Sequence, residues 1–261
     1  MKAIWNGAIG FGLVNIPIKI YSATETSKLD LDMLDKSDFS NIKFKRVNEK
    51  TGKEVKWENI VKAYLMEDRY IVLEEEDYEA ASPEKTKILS IDQFVKEIEV
   101  DSIYFENPYF LEPQKNGENA YRLLLKALQE TKMVGIGTFV LRESEAIGMI
   151  RPYNEEILLL NRLRFDQEIR DYSDLKIPAK KAPKPAELKM AVSLIEQLSQ
   201  SFDPTMYKDT YSEELLKIIK QKAKGKEVKA RKAEPAKGGK VIDLMAQLKA
   251  SLQSSKSKTA S

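Results

Sequence analysis

Hydrophobic and polar residues alternate near the start of the chain. Apolar residues occupy every second position from Val14 to Ile20, with a polar residue or proline between each pair. This is the period of a β-strand that has one buried face. Pro17 cannot donate to a strand ladder, so we expect its strand to lie at an edge or its nitrogen to face away from a partner. The glycines between Gly7 and Gly12 suit a bulge or sharp bend just before this strand.

The chain from residue 1 to about 165 is rich in strand-like segments. Tyr121, Leu124, Leu125 and Leu128 predict one long helix over 119–132. A short helix is expected over 58–66 and a helical turn from Glu74, whose acidic residues suit a helix N-terminus. The predicted strands are 29–33, 42–47, 70–73, 98–105, 109–111, 134–142, 146–151 and 157–160. Many short strands with one long helix predict a closed or half-closed β-barrel.

A proline- and lysine-rich segment at 177–185 separates this body from a helical C-terminal region. We place the linker at 176–185, with Pro185 in the first turn of the next helix. Residues 186–224 hold two predicted helices, the second beginning at Thr210 with capping-box spacing to Glu213. A lysine-rich stretch over 225–239 is expected to be flexible. A last short amphipathic helix is predicted within 240–261 from the spacing of Val241, Leu244, Met245, Leu248 and Leu252.

Charge is distributed unevenly along the chain. The 261 residues carry a net charge of +2. Residues 217–261 hold 13 Lys and Arg against 3 Asp and Glu, whereas residues 1–216 hold 30 against 38. A basic tail on an acidic body suits an anionic partner, or equally a solubilising tail. If the body binds nucleic acid, its cations must be segregated onto one surface.

Composition excludes several kinds of chemistry. The chain has no cysteine and no histidine, so disulfides, thiolate or imidazole zinc sites, and serine–histidine catalysis are excluded. We expect no cofactor, no metal site and no catalytic residue. Gly135-Ile136-Gly137 lacks the third glycine of a dinucleotide-binding motif. No apolar run reaches the length of a membrane span and no signal-peptide pattern begins the chain, which predicts a cytoplasmic protein without a membrane partner.

Cations recur on the predicted strands. Lys43 and Lys45 share one strand face, and Arg162 and Arg164 repeat that spacing around Leu163. A barrel with its apolar side chains inside would present these cations in rows on its outer wall. Such rows can follow a phosphate backbone without reading bases, whereas any single member could be ordinary surface charge.

Several motifs, in one order, resemble the bacterial Ku family. They include the Phe11–Pro17 run, Tyr21–Thr24, Trp57–Tyr64, Tyr104–Leu111 and Phe202–Asp209. The resemblance implies an α+β, mainly β fold: a Ku-type β-barrel with a bridge insertion in residues 1–175, followed by a C-terminal helical arm. It also implies a protein that binds double-stranded DNA ends in non-homologous end joining.

The Ku resemblance further implies a homodimeric ring that duplex DNA enters only at a free end. Residues between Leu29 and Tyr70 would build part of the bridge over that opening. The dimer arm would use Leu188, Val192, Ile195, Leu198, Leu215 and Ile219. The helix in 240–261 would contact an ATP-dependent DNA ligase, and a nucleoid-associated location follows. The candidate DNA-binding residues are Lys19, Lys43, Lys45, Arg46, Lys53, Lys56, Arg142, Arg151, Arg162 and Arg164.

Two other functions are compatible with the sequence. An open β-barrel could bind single-stranded DNA or RNA by stacking bases on exposed aromatic residues such as Trp5, Tyr104, Phe105, Tyr109 and Phe110, although burial in a core is the commoner fate of such residues. A lysine nucleophile could act as a lyase at abasic DNA ends, but the sequence distinguishes no particular lysine for that role.

Overall fold

The computed structural model describes residues 1–81, 87–141, 144–179 and 182–226. Nine strands, numbered in chain order, have the following bounds: β1 Trp5–Phe11, β2 Val14–Ser22, β3 Lys62–Met66, β4 Arg69–Leu73, β5 Ile88–Lys96, β6 Phe105–Pro113, β7 Met133–Leu141, β8 Ser144–Tyr153 and β9 Ile157–Leu163. The four α-helices are α1 Glu75–Ala81, α2 Glu118–Thr131, α3 Pro185–Leu198 and α4 Thr210–Ala223. No helix in these ranges has the length and hydropathy needed to cross a membrane.

Seven of the strands form a closed barrel, which confirms the barrel prediction. The order around the barrel is β1-β2-β6-β9-β8-β7-β5, and β5 closes it against β1. All neighbours are antiparallel except this last pair, in which Ala8 lies opposite Ile88. Parallel neighbours need a long crossover connection. The chain between Ser22 and Ile88 forms part of that crossover. It contains β3 and β4, which form a separate two-stranded sheet.

The barrel interior is filled by alternate residues of its strands. Ile16, Ile18 and Ile20 of β2 are fully buried, as the alternation in the sequence predicts. Leu158 and Leu160 of β9 lie in the same hydrophobic cluster. Pro17, between the buried isoleucines, is half-buried on the outer face of β2. A second, smaller cluster around Met149 and Leu163 lies on the opposite face of β8 and β9 and is covered by residues 95–105.

Helix α2 packs at one end of the barrel. Its buried residues Tyr121, Leu124, Leu125 and Leu128 belong to the main core cluster. The Tyr121 hydroxyl donates to the Leu111 carbonyl at 2.7 Å and accepts from the Leu158 amide at 2.7 Å. It therefore joins α2 to the end of β6 and the start of β9. Burial raises the pKa of Tyr121 to about 12.

The segment from Leu31 to Ala81 contains no buried residue. We call this segment the arm; it is distinct from the predicted C-terminal dimer arm. It holds the β3–β4 hairpin, in which Tyr64 lies opposite Ile71, and helix α1. Its remaining β-pairing consists of two isolated bridges, Leu34 with Asn41 and Val47 with Glu54. Apolar side chains in the arm are nonetheless frequent and exposed.

Several predicted elements are wrong in detail. The strands expected over 29–33 and 42–47 are only isolated bridges and irregular chain. The helix expected over 58–66 is a short 3-10 turn followed by β3. The strand expected over 98–105 is two 3-10 turns before β6. Strand β5 was not predicted. By contrast, β4, α1, α2 and the β7–β8–β9 meander confirm the predicted elements.

The described chain divides into two compact units, and the second contains residues 27–30 and the described residues from Ser173 to Lys226. Within it, Pro185 stands in the first turn of α3, as predicted. The cap of α4 differs from the prediction, because the Asp209 carboxylate rather than Thr210 accepts from the Ser212 amide. Phe202 and Tyr207 stack with their ring centroids 5.9 Å apart between the two helices.

Candidate nucleic-acid interface

The cations of the arm fall into two groups. Lys43, Lys53 and Lys56 are exposed, and within the described ranges none of them forms an ion pair. Lys45 instead pairs with Glu54 at 2.6 Å, and this hydrogen bond raises the pKa of Lys45. The Arg46 guanidinium lies 4.6 Å from the centroid of the Trp57 ring, in cation–π geometry. Three free ammonium groups and one stacked guanidinium are therefore available to an anionic partner.

The cations of the barrel are more constrained. Lys19 is half-buried on β2, opposite Glu112 of β6. The Tyr21 hydroxyl donates to that carboxylate at 2.6 Å, which raises the pKa of Tyr21. Arg151 donates to the Asn161 side chain at 3.0 Å and lies 3.6 Å from Glu97. These two cations face outward from the barrel, as the sequence predicts, but each has an acidic neighbour.

Arg162 and Arg164 share a single carboxylate. Arg162 Nε lies 3.0 Å from Glu106 Oε2, and Arg164 Nε lies 3.7 Å from Glu106 Oε1. Arg164 also donates through Nη1 to the carbonyls of Ile103 and Phe105. Two guanidinium groups against one carboxylate leave one positive charge in surplus. This cluster is built into the barrel wall and is partly buried.

The orientation of Arg162 differs from the predicted outer row. Alternation along β9 places Arg162 on the same face as Leu158 and Leu160, which point into the barrel. Leu163 instead belongs to the outer cluster. The sequence pattern was misleading here because β9 is apolar on both faces. Arg162 therefore lies at one end of the barrel interior and not in a row on its outer wall.

The other predicted site residues fall into two groups. Arg142 lies outside the described residues, and so do the five predicted partner-binding residues Val241, Leu244, Met245, Leu248 and Leu252. The predicted dimer-arm residues are described. Leu188, Val192, Ile195 and Leu198 of α3 are exposed, as is Ile219 of α4, whereas Leu215 is half-buried. The exposed residues of α3 recur at helical spacing and form one apolar face, which the described residues of the second unit leave uncovered.

The aromatic residues that could stack bases are mostly engaged within the barrel. Trp5 packs edge-on against Phe139 and donates through Nε1 to the Val140 carbonyl at 3.0 Å. Tyr109 is buried in the core. Tyr104 packs against the outer cluster and donates to Asp166 at 2.9 Å. The described barrel thus offers no row of exposed aromatic rings for single-strand binding.

Polar groups that the sequence analysis overlooked meet at the end of the barrel opposite α2. Ser22, Asn107 and Ser144, which were not predicted, come from the ends of three strands and line one cavity with Thr24 and the predicted Arg162. A cation–π contact between Lys62 and the Tyr78 ring, at 5.4 Å, was also missed. No group of three or more acidic side chains suited to a metal ion occurs among the described residues.

Comparison with known proteins identifies the family of this chain. The family model described as the Ku70/Ku80 beta-barrel domain matches residues 10–190. The chain belongs to the Ku family. Two bacterial relatives, from Coxiella burnetii and Opitutus terrae, are both named "Non-homologous end joining protein Ku" and are 37% and 39% identical to it. The alignments cover 97% of this chain in both cases, and 94% and 91% of the respective relatives.

Other bacterial relatives of this chain have the same name. The relative of the same name from Bacillus subtilis is 36% identical over 97% of this chain and 82% of its own length. Among solved structures, the SPOC domain of human PHD-finger protein 3 covers 62% of this chain with a TM-score of 0.31 and 11% identity. That likeness is too low to bear on function. The resemblance read from the sequence is therefore confirmed at the level of the family.

Proposed function

We propose that this chain forms a homodimeric ring that binds the ends of double-stranded DNA without sequence preference, acts in non-homologous end joining and recruits an ATP-dependent DNA ligase. The names of its relatives support the pathway. Nucleoid association follows from that role.

The arm is the observation that carries this proposal. Its apolar side chains have no core of their own: Phe44 is 80% exposed and Tyr70 is 72% exposed. Exposed apolar surface of this extent marks an interaction site. A second copy of the chain is a partner that can cover such a surface on both molecules at once, because a two-fold interface uses the same patch twice.

The free cations of the arm support a DNA partner. Lys43, Lys53 and Lys56 are exposed within a span of fourteen residues and keep their charge unpaired among the described residues. Side chains of this kind bind phosphates without reading bases. The body as a whole is acidic, so surplus carboxylates elsewhere would discourage DNA from binding to other surfaces.

The exposed face of α3 supports a dimer arm. Leu188, Val192, Ile195 and Leu198 form an apolar stripe that no described residue of the second unit covers. An amphipathic helix gains most of its stability from burying such a stripe. We propose that this stripe packs against the other copy in the dimer.

Ligase recruitment rests on the sequence of the tail. Val241, Leu244, Met245, Leu248 and Leu252 have helical spacing after a lysine-rich stretch, as suits a segment that docks in a partner's groove.

Retention on DNA of different topology tests the ring directly. We expect linear duplex to load the protein and covalently closed circular duplex of the same sequence to lose it in a salt wash, since a ring passes onto DNA only at an end. Solution mass should equal two chains before DNA is added. Equal retention on both DNA forms, or a monomeric mass, would overturn the ring.

A further inference from the structure

The barrel has one closed end and one open end. Helix α2 packs where β6 ends and β9 begins, near Leu111 and Leu158. At the opposite end, β2, β7 and β9 finish at Ser22, Leu141 and Leu163, and β8 begins. We call the cavity at this opposite end the mouth. It has a volume of about 560 Å³, which is within the range of small-ligand sites, and barrel mouths are a common position for such sites.

The floor and the rim of the mouth differ in chemistry. Tyr109 and Leu141 supply apolar surface that belongs to the barrel core, and the more exposed Ile4 adds to it. The rim consists of hydroxyl, amide, guanidinium and carboxylate groups. These rim residues are Ser22, Thr24, Glu25, Thr26, Asn107, Ser144 and Arg162. An apolar floor with a few convergent polar groups is the usual composition of a ligand pocket.

A β-bulge sets the polar side of the mouth. Strand β6 has two residues, Glu106 and Asn107, where β9 has only Arg162. The extra residue lets Glu106 pair with Arg162 while Asn107 lines the cavity. Bulges are frequent next to functional sites because they redirect a side chain in this way.

Arg162 has binding capacity left over. Arg162 Nε is buried and lies 3.0 Å from Glu106 Oε2 without forming a hydrogen bond, and no hydrogen bond from either Nη atom occurs among the described residues. Arg164 draws on the same carboxylate, so the pair keeps a surplus positive charge. A guanidinium with two free nitrogens matches the oxygens of a phosphate group.

Glu25 narrows the choice of ligand. Its carboxylate lines the same mouth and would repel a bare phosphate ion. A nucleotide suits the rim residues better, because its base presents N–H groups that can donate hydrogen bonds to a carboxylate or an amide oxygen. Its sugar and base also have apolar surface for the floor.

We propose that the mouth binds a single nucleotide through its phosphate monoester, with Arg162 facing the phosphate. The nucleotide is either the unpaired terminal nucleotide of a DNA strand or a free mononucleotide. The DNA source rests on the proposed function: the chain leaves the barrel toward the arm after Ser22 and re-enters it at Ile88, and both points lie at the end of the barrel that holds the mouth.

Two variants change the charge of the rim in opposite directions. Thr24→Glu adds a carboxylate beside the site, and Glu25→Gln removes one. Asn119→Glu is the matched control, since it adds the same charge on exposed α2 at the closed end, where a carboxylate suits the first helical turn. None of these three side chains belongs to the barrel core.

Calorimetry with deoxyadenosine 5′-monophosphate and with deoxyadenosine tests the pocket. We expect the wild type and Asn119→Glu to bind the monophosphate at least about tenfold more tightly than the nucleoside. Thr24→Glu should remove that preference, and Glu25→Gln should strengthen it about threefold. Equal binding of the two probes by the wild type, or equal losses in Thr24→Glu and Asn119→Glu, would overturn the proposal.

Duplexes with a one-nucleotide 5′ overhang, with and without a 5′-phosphate, distinguish the two sources. A preference for the phosphorylated end that Thr24→Glu removes identifies the DNA terminus. Monophosphate binding without that preference identifies a free nucleotide. The comparison of linear with circular DNA does not involve the mouth, so failure of the ring and failure of the pocket give different results.

Discussion

The barrel and the arm contain similar apolar residues but use them differently. Ile16, Ile18 and Ile20 of the barrel are fully buried. In the arm, Phe44, Tyr64 and Tyr70 are largely exposed. The barrel therefore supplies its own stability, whereas the arm depends on a surface that the described chain does not provide. Hydrophobicity alone does not distinguish a core strand from a segment whose apolar side chains are exposed in the single chain.

The largest difference should appear on truncating one leucine in each region. Leu160→Ala removes a fully buried side chain and should lower the free energy of unfolding by about 3 kcal/mol. Leu65→Ala, in the exposed hairpin, should lower it by less than about 0.5 kcal/mol within one chain. Urea unfolding at two protein concentrations measures both. A loss for Leu65→Ala that exceeds this value at high protein concentration and shrinks on dilution would indicate a second copy on the arm.

The next effect concerns the link between α2 and the barrel. Tyr121→Phe leaves the Leu111 carbonyl and the Leu158 amide without their buried partner and should cost about 2 kcal/mol. Because the folded-state pKa of about 12 is raised above the ordinary value of 10.0, this group stabilises the fold below pH 10. That contribution is lost as the pH rises from 10 through 12. The variant should lack this pH dependence in alkaline unfolding measured by circular dichroism.

The third effect concerns charge on the arm. Replacing Lys43, Lys53 and Lys56 with Gln should weaken duplex binding about tenfold and reduce the salt slope of log K by about three. The matched control replaces Lys115, Arg122 and Lys126, three exposed cations around the closed end of the barrel. Titrations at several salt concentrations measure both. Equal losses in the two triple variants would show that DNA does not favour the arm.

The smallest effect should separate two neighbouring lysines. Lys45 already pairs with Glu54 at 2.6 Å, whereas Lys43 has no ion pair within the described ranges. Lys45→Gln should therefore change DNA affinity less than Lys43→Gln, by under about twofold, because exposed ion pairs contribute little. If Lys45→Gln weakened binding more, Lys45 would have to leave Glu54 for DNA.

The accuracy of the sequence predictions follows the same division between barrel and arm. Strand β2 and helix α2 were predictable because a buried face imposes a period on their residues. In the arm no face is buried, so the spacing of Ile60, Val61, Tyr64 and Leu65 mimicked a helix where the chain forms a hairpin. Strand β5 was not predicted because a bulge between Ile91 and Gln93 breaks the alternation of its apolar and polar residues.

Two sequence patterns point to the mouth. Ser22 continues the inward series Ile16, Ile18, Ile20, and Arg162 continues Leu158 and Leu160. Polar residues that continue an inward series at a strand end predict a polar rim. The shared carboxylate of Glu106 was not predictable, because it depends on the bulge that shifts β6 against β9.

The parallel pairing of β1 with β5 has a consequence for how this molecule folds and varies. Residues near 8 pair with residues near 88, and the loop that this pairing closes contains both β2 and the arm. Contacts so distant in sequence form slowly, which makes barrel closure a late event. The entropy of closing such a loop rises by only about 0.6 kcal/mol for each doubling of its length. The length of the arm could therefore differ among relatives with little effect on the stability of the barrel.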